Sequence, residues 1–84
     1  MISIQQELMQ RLRQRRKEAK ISQLELANRS GVSFGSVKRF ENSGEISLSS
    51  LIKLAFALGY ENDFNNLFTR KNYQSIQDVI DESK

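Results

Sequence analysis

Apolar residues recur at helical spacing along most of this chain, and no stretch alternates apolar and polar residues as a half-buried strand would. Serines that can cap a helix and glycines that can end one divide the pattern into short segments. With 84 residues the chain has room for one hydrophobic core, so we expect a single domain spanning residues 1–84. The pattern predicts an all-α fold of five or six helices.

The first predicted helix runs from Ile4 to Lys20. Its expected inner face consists of four apolar residues, namely Ile4, Leu8, Leu12 and Ala19. Its other faces are basic and carry Arg11, Arg13, Arg15, Arg16 and Lys17. This helix is therefore predicted to be amphipathic.

A second, short helix is predicted to begin after Ser22, which has the spacing of a capping box with Glu25. Leu24 and Ala27 are its expected inward residues. Gly31 is predicted to end it, because glycine adopts the left-handed conformation without a Cβ penalty.

Ser33 can cap a third helix, predicted from Phe34 to Glu41 with Val37 and Phe40 buried, and residues 42–45 have the composition of a loop. Ser47 can cap a fourth helix that Gly59 ends. The apolar face expected for this helix comprises Leu48, Leu51, Ile52, Leu54, Ala55 and Leu58. The predicted core thus covers residues 4–59, followed by a C-terminal segment, 60–84, with an amphipathic stretch at 75–83.

The second and third helices, joined by the three-residue turn 31–33, have the pattern of a helix-turn-helix. Five apolar residues can meet in its small core, namely Leu24, Ala27, Val32, Val37 and Phe40. Such a unit presents the first turn of its second helix outward, where it can enter a DNA major groove about 12 Å wide.

The segments 23–27 (Gln-Leu-Glu-Leu-Ala) and 31–33 (Gly-Val-Ser), followed by Val37 and Glu41, resemble the helix-turn-helix of the Cro and Xre repressor family, and the similarity extends over residues 8–59. The resemblance implies a lambda-repressor-like helical bundle that binds DNA. In one departure, Ser43 occupies a position where many members have Gly, and Gly44 follows. The turn into the fourth helix is therefore expected to differ by one residue.

Residues 39–51, 55–59 and 63–68, with the tail at 73–80, are similar to the HipB-like antitoxins. This resemblance implies a homodimer that binds a palindromic operator, holds a HipA-like kinase toxin and represses their shared operon. A stand-alone phage-type repressor and a restriction-modification controller are alternatives within the same class.

Six residues of the third helix and its cap are predicted to read base edges, namely Ser33, Phe34, Gly35, Ser36, Lys38 and Arg39. Arg39 is the best candidate for a bidentate contact to guanine. Phe34 can meet a thymine methyl group, and Gly35 lets the backbone approach closely. Burial in the core is the alternative for Phe34.

Seven residues are predicted to contact phosphate, namely Arg13, Arg16, Ser22, Gln23, Asn42, Ser43 and Ser49. Ordinary capping is the alternative for the serines and Asn42, and a solvated surface is the alternative for the arginines. The family resemblance implies another role for Arg16, an ion pair with Glu41 that braces the first helix against the third.

The C-terminal segment offers five apolar residues that we assign to a dimer or partner interface, namely Leu67, Phe68, Ile76, Val79 and Ile80. Packing against the fourth helix is the alternative. A dimer sets two recognition helices about 34 Å apart, which requires an operator with two-fold symmetry.

The charge is unevenly distributed along the chain. Residues 1–60 hold ten Lys/Arg and five Asp/Glu, whereas residues 61–84 hold three and five. The basic first part indicates that the protein binds a polyanion, and the acidic second part indicates a different partner. A chance asymmetry of charge is the alternative. A protein-interaction module with only incidental DNA binding is therefore a second candidate function.

The chain has no Cys and no His, which removes disulfides, thiolate nucleophiles and the usual zinc ligands. Its acidic residues are scattered singly, so we expect no metal, no cofactor and no enzyme activity. The N-terminus lacks the charged flank and long apolar run of an exported or membrane protein. A cytoplasmic, nucleoid-associated protein that does not enter the membrane is expected.

Overall fold

The computed structural model describes residues 3–71, which form four α-helices and one 3₁₀ helix. The elements are α1 (Ile4–Glu18), α2 (Gln23–Ser30), α3 (Phe34–Ser43), α4 (Leu48–Leu58) and the 3₁₀ helix (Glu61–Asn66). No strand occurs among these residues, so the all-α prediction is confirmed. None of their helices is both long and apolar enough to cross a lipid bilayer.

Serine side chains begin the helices as the sequence predicted. The hydroxyls of Ser22, Ser33 and Ser47 each accept a hydrogen bond from the backbone N–H three residues later. The predicted capping box at Ser22 is only half formed, because the carboxylate of Glu25 pairs with Arg29 at 2.6 Å instead of returning a bond. The complete capping box occurs at the start of α1, between Ser3 and Gln6.

Two helix ends differ from the prediction. α3 continues to Ser43, two residues beyond its predicted end, because Gly44 is the residue that takes the left-handed conformation, with φ +81°. The displaced turn expected from the family pattern is therefore present. α1 ends at Glu18, two residues earlier than predicted, and Lys20 adopts φ +61° in the connection to α2.

The core lies where α2, α3 and α4 meet. Its buried apolar residues are Ile21, Leu26, Ala27, Val32, Val37, Phe40, Leu54 and Ala55. The burial predicted for Ala27, Val32, Val37 and Phe40 is confirmed. The burial predicted for Leu24 is wrong, because α2 turns Leu26 and Ala27 toward the core and leaves Leu24 53% exposed.

The predicted inner face of α1 is largely wrong. Ile4 is 79% exposed, and Leu8 and Ala19 are also exposed. The side that packs on the body instead contains Met9, Leu12 and the buried Arg16. The prediction failed because it selected the most apolar side of the helix, whereas an arginine with a buried partner lies on the packed side.

The apolar face of α4 is confirmed for Leu54 and Ala55, which are buried, and for Leu51, Ile52 and Leu58, which are half-buried. The placement of Leu48 on this apolar face is wrong, because its side chain in the first turn of the helix is 63% exposed.

Candidate nucleic-acid interface

One face of α3 is buried in the core and the other is open to solvent. Val37 and Phe40 are 0% and 1% exposed. The turn between α2 and α3 produces this arrangement, because Gly31 ends α2 at φ +79° and the buried Val32 holds the two helices together. The open face begins in the first turn of α3, the part of a recognition helix that enters a major groove.

Phe34 lies on this open face and is 42% exposed, so the alternative of burial in the core is wrong. The Nζ atom of Lys38 lies 5.4 Å from the centroid of the Phe34 ring, within range of a cation–π contact. The pair places an apolar surface that fits a thymine methyl group beside a positive charge that fits an acceptor atom on a base edge.

The cap of α3 leaves polar groups available at its first turn. The hydroxyl of Ser33 accepts from the backbone N–H of Ser36 at 3.1 Å and donates to the Ser36 hydroxyl at 2.8 Å, which leaves the proton of Ser36 for an outside acceptor. Gly35 is exposed, and a Cβ added there would meet no atom within 4 Å. The backbone at this turn is therefore open to close approach by a ligand.

Arg39 extends from the same face and pairs with Glu45 in the loop that follows α3. Its Nε and Nη2 atoms lie 3.1 and 2.5 Å from Oε2 of Glu45, and both side chains are exposed. An open groove of about 310 Å³ runs between α3 and the start of α4. It is lined by Ser36, Arg39, Glu45, Ile46, Ser47 and Ser50.

The start of α2 provides donors that suit a phosphate group. The first N–H groups of a helix have no partner within it, so those of Gln23 and Leu24 can donate outward at the positive end of the helix dipole. Ser22 is exposed, and its hydroxyl uses only an acceptor position, toward Glu25. The side chain of Gln23 donates from Nε2 to Oε1 of Glu41 at 3.1 Å.

Arg16 is buried and its guanidinium donates to protein acceptors. Its Nε and Nη2 atoms donate to the two oxygens of Glu41 at 2.8 and 2.9 Å, and Nη1 donates to the carbonyl of Ile21 at 2.9 Å. The ion pair implied by the family resemblance is confirmed. The predicted phosphate contact by Arg16 is wrong, because the side chain points inward and is only 10% exposed.

Burial by itself raises the pKa of Glu41, but hydrogen bonds from Arg16 and Gln23 and the positive charges of Arg16 and Arg13 more than offset it. The pKa of Glu41 therefore lies below its ordinary value, and the carboxylate is ionised at neutral pH. Arg13 itself is exposed. Its side chain is therefore accessible from solvent.

The other predicted phosphate contacts lie around the loop between α3 and α4. Asn42 and Ser49 are exposed. Ser43 is also exposed, but its hydroxyl donates to the carbonyl of Arg39 at 2.7 Å and accepts from the N–H of Glu45 at 3.2 Å. The Ser43 hydroxyl therefore has no proton left to donate to a phosphate.

Two of the five residues assigned to a dimer or partner interface are described, and both are exposed. Leu67 is 57% exposed and Phe68 is 95% exposed. Ile76, Val79 and Ile80 lie outside the described residues.

Two contacts at this site were not predicted from the sequence. Gln23 holds Glu41 across the helix-turn-helix, and Glu45 holds Arg39. The residues of the second pair are six positions apart, which matches no helical spacing, and they meet only because the chain reverses at Gly44. No residue pattern could have indicated that pairing.

Comparison with known families gives a match at the same part of the chain. A family model described as helix-turn-helix matches residues 12–62, which include all of α2, α3 and α4. Searches of curated proteins and of solved structures give no match to the chain. Because the family match covers more than half of the chain and the geometry of α2, the turn and α3 agrees with it, this protein belongs to the Cro/Xre-type helix-turn-helix family of DNA-binding transcriptional regulators.

Proposed function

We propose that this protein binds a specific, palindromic operator as a homodimer and represses the operon that encodes it. The observation that carries the proposal is the outer face of α3, where Phe34, Lys38 and Arg39 are exposed while the opposite face is buried. A monomeric protein without a ligand gains little from exposing an aromatic ring and two cations on one turn of helix.

The proposed contacts fall into two groups with different tasks. Base edges are read by Ser33, Phe34, Gly35, Ser36, Lys38 and Arg39. Phosphates are bound by Arg13, Ser22, Gln23, Asn42 and Ser49. The first group provides sequence preference, whereas the second fixes the register of the protein on the duplex.

The test is selection of duplexes from a random library with the purified protein, followed by titration of the selected duplex and a shuffled duplex over about 50 to 200 mM salt. We expect a two-fold symmetric sequence with half-sites about 34 Å apart, bound roughly a thousandfold or more tighter than the shuffled duplex. Affinity for both duplexes should fall steeply with salt. Failure to enrich any sequence would contradict the proposal.

We further propose that the operon encodes a kinase-like toxin that this protein holds inactive. The support is the likeness of residues 39–51 and 55–59 to HipB-like antitoxins, together with the exposed Leu67 and Phe68 beyond α4. The test is to co-express the neighbouring gene with and without this protein. Growth arrest that this protein relieves, with co-purification of the two chains, supports the antitoxin role. A methylase or lysogeny gene as neighbour supports instead a restriction-modification controller or a phage-type repressor.

A protein-interaction module remains the second candidate, and the exposed Phe68 favours it. In that case the partner would be bound normally, while the selected duplex would be bound no better than the shuffled one. The same titration therefore separates the two functions.

A further inference from the structure

An acidic residue, Glu45, lies against the proposed DNA-contacting face of α3. Its carboxylate pairs with Arg39, and the Glu45 side chain is 58% exposed. A carboxylate at this place repels the phosphates that the surrounding cations attract. An exposed ion pair also contributes little to stability, so support of the fold does not account for it.

The backbone of Glu45 is held in place by the end of α3. Its N–H donates to the hydroxyl of Ser43 at 3.2 Å, and that hydroxyl donates to the carbonyl of Arg39 at 2.7 Å. Gly44 is buried at φ +81°, and a Cβ added there would lie 3.3 Å from Gln5. The loop is therefore fixed both to α3 and to α1, and it directs Glu45 back over Arg39.

The pairing leaves a defined part of the guanidinium available. Nε and Nη2 of Arg39 both donate to Oε2 of Glu45, which occupies the side edge of the group. Nη1 and the outer proton of Nη2 form the end edge, which is a second fork of parallel donors. This end edge suits the O6 and N7 atoms of guanine, so one arginine can bind Glu45 and a base at the same time.

We propose that Glu45 is a positioning residue that sets sequence specificity: it orients Arg39 for a bidentate contact to guanine and offsets the charge by which Arg39 would otherwise bind any phosphate. The inference rests on the proposed function, since it concerns the same face of α3. An arginine fixed before binding loses less side-chain entropy on contact with a base. An arginine whose charge is offset by a carboxylate contributes less to non-specific DNA binding.

The test compares the wild-type protein with Glu45→Gln. Both are titrated, over about 50 to 200 mM salt, with the duplex selected by the wild type, with that duplex altered one base pair at a time, and with a shuffled duplex. For E45Q we expect tighter binding to the shuffled duplex and a log–log salt slope steeper by about 0.9, equivalent to one more phosphate contact. Discrimination at one G·C pair should fall at least about fivefold.

Glu18→Gln is the matched control, because Glu18 also pairs with an arginine, the half-buried Arg15, but at the end of α1. It makes the same change in net charge away from α3. An equal effect of E18Q and E45Q would attribute the result to net charge and overturn the inference. Thermal unfolding followed by circular dichroism shows whether each variant is folded.

The third comparison uses Arg39→Ala. If Glu45 acts through Arg39, E45Q should lose its effect on discrimination in the R39A background. If the wild type enriches a sequence and E45Q discriminates as the wild type does, this inference alone is wrong. If the wild type enriches no sequence, the proposed function and this inference are wrong together.

Discussion

Arg16 and Glu41 are opposite charges inside a small core, and their contacts determine how three parts of the chain meet. Arg16 comes from α1, Glu41 from α3 and Gln23 from the start of α2. Each oxygen of Glu41 accepts a hydrogen bond from Arg16. Because a buried charge without a partner is costly, these residues tolerate few other arrangements of the helices. The network thus fixes how α1, α2 and α3 are placed relative to one another.

We expect Glu41→Gln to lower the free energy of unfolding by about 3–5 kcal/mol, because it leaves the Arg16 charge buried without a counter-charge. The matched control is Glu25→Gln, which breaks the exposed ion pair with Arg29. This change should lower the free energy of unfolding by less than about 1 kcal/mol. Urea unfolding measures both values. Equal losses in the two variants would show that burial does not strengthen the Arg16–Glu41 pair.

The same carboxylate predicts a pH dependence of stability. The folded-state pKa of Glu41 lies below its ordinary value of 4.5, so between those two values the unfolded chain binds more protons than the folded one. The stabilisation from Glu41 is therefore complete above the ordinary value and is lost as pH falls through the folded-state pKa. We expect the stability difference between wild type and E41Q to narrow as the pH is lowered from about 7 toward 3. A stability difference between wild type and E41Q that stays constant with pH would contradict the lowered pKa of Glu41.

At the scale of the elements, the sequence was most informative about where helices begin and about the two helix ends marked by Gly31 and Gly59, whereas the predicted ends of α1 and α3 were wrong. Local chemistry was enough to predict these caps, because a helix cap depends on only a few neighbouring residues. The caps concerned are the serines at 22, 33 and 47 and the glycines at 31 and 59. The outer face of α3 followed from the same reasoning, once Val37 and Phe40 were assigned to the core.

Features that depend on contacts between elements could not be predicted in this way. Apolar periodicity placed Leu24 inward, but the crossing of α2 with α3 and α4 selects Leu26. Apolar periodicity also predicted the wrong packed side of α1. The packed side includes Arg16, whose partner Glu41 is 25 residues away in the sequence. Glu45 was missed for the same reason, since its contact with Arg39 depends on the turn at Gly44.

Two glycines of the helix-turn-helix make a matched pair for testing the turn. Gly31→Ala should destabilise the fold by about 1–2 kcal/mol, because φ is +79° and the added methyl group meets nothing that could offset the strain. Gly35→Ala should instead stabilise it by about 0.5–1 kcal/mol, because Gly35 is helical and open to solvent.

Urea unfolding gives these stabilities, and titration with the selected duplex gives the affinities. We expect Gly35→Ala to weaken operator binding although it stabilises the protein, because the methyl group occupies space proposed for the DNA. Unchanged affinity in this variant would exclude a close approach of the duplex to Gly35.

On the scale of the whole molecule, two parts of the sequence differ in charge. The cations of residues 1–60 include those on α1 and α3, whereas residues 61–84 carry more acids than bases. A polyanion is attracted to the first part and repelled by the second. We therefore expect the C-terminal part to serve assembly rather than DNA contact, as the proposed dimer on a two-fold symmetric operator requires.

The proposed dimer can be tested with two exposed phenylalanines. Phe68, beyond the 3₁₀ helix, is 95% exposed, and Phe56, on α4, is 63% exposed, so neither side chain is needed to fill the core. We expect Phe68→Ser to shift the protein toward monomer in sedimentation experiments and to weaken binding to a duplex with two half-sites. Its affinity for a single half-site should not change, because each recognition helix is intact. Phe56→Ser should leave the dimer and both affinities as they are. If Phe56→Ser disrupts the dimer and Phe68→Ser does not, the interface lies on α4 and its assignment to the C-terminal segment is wrong.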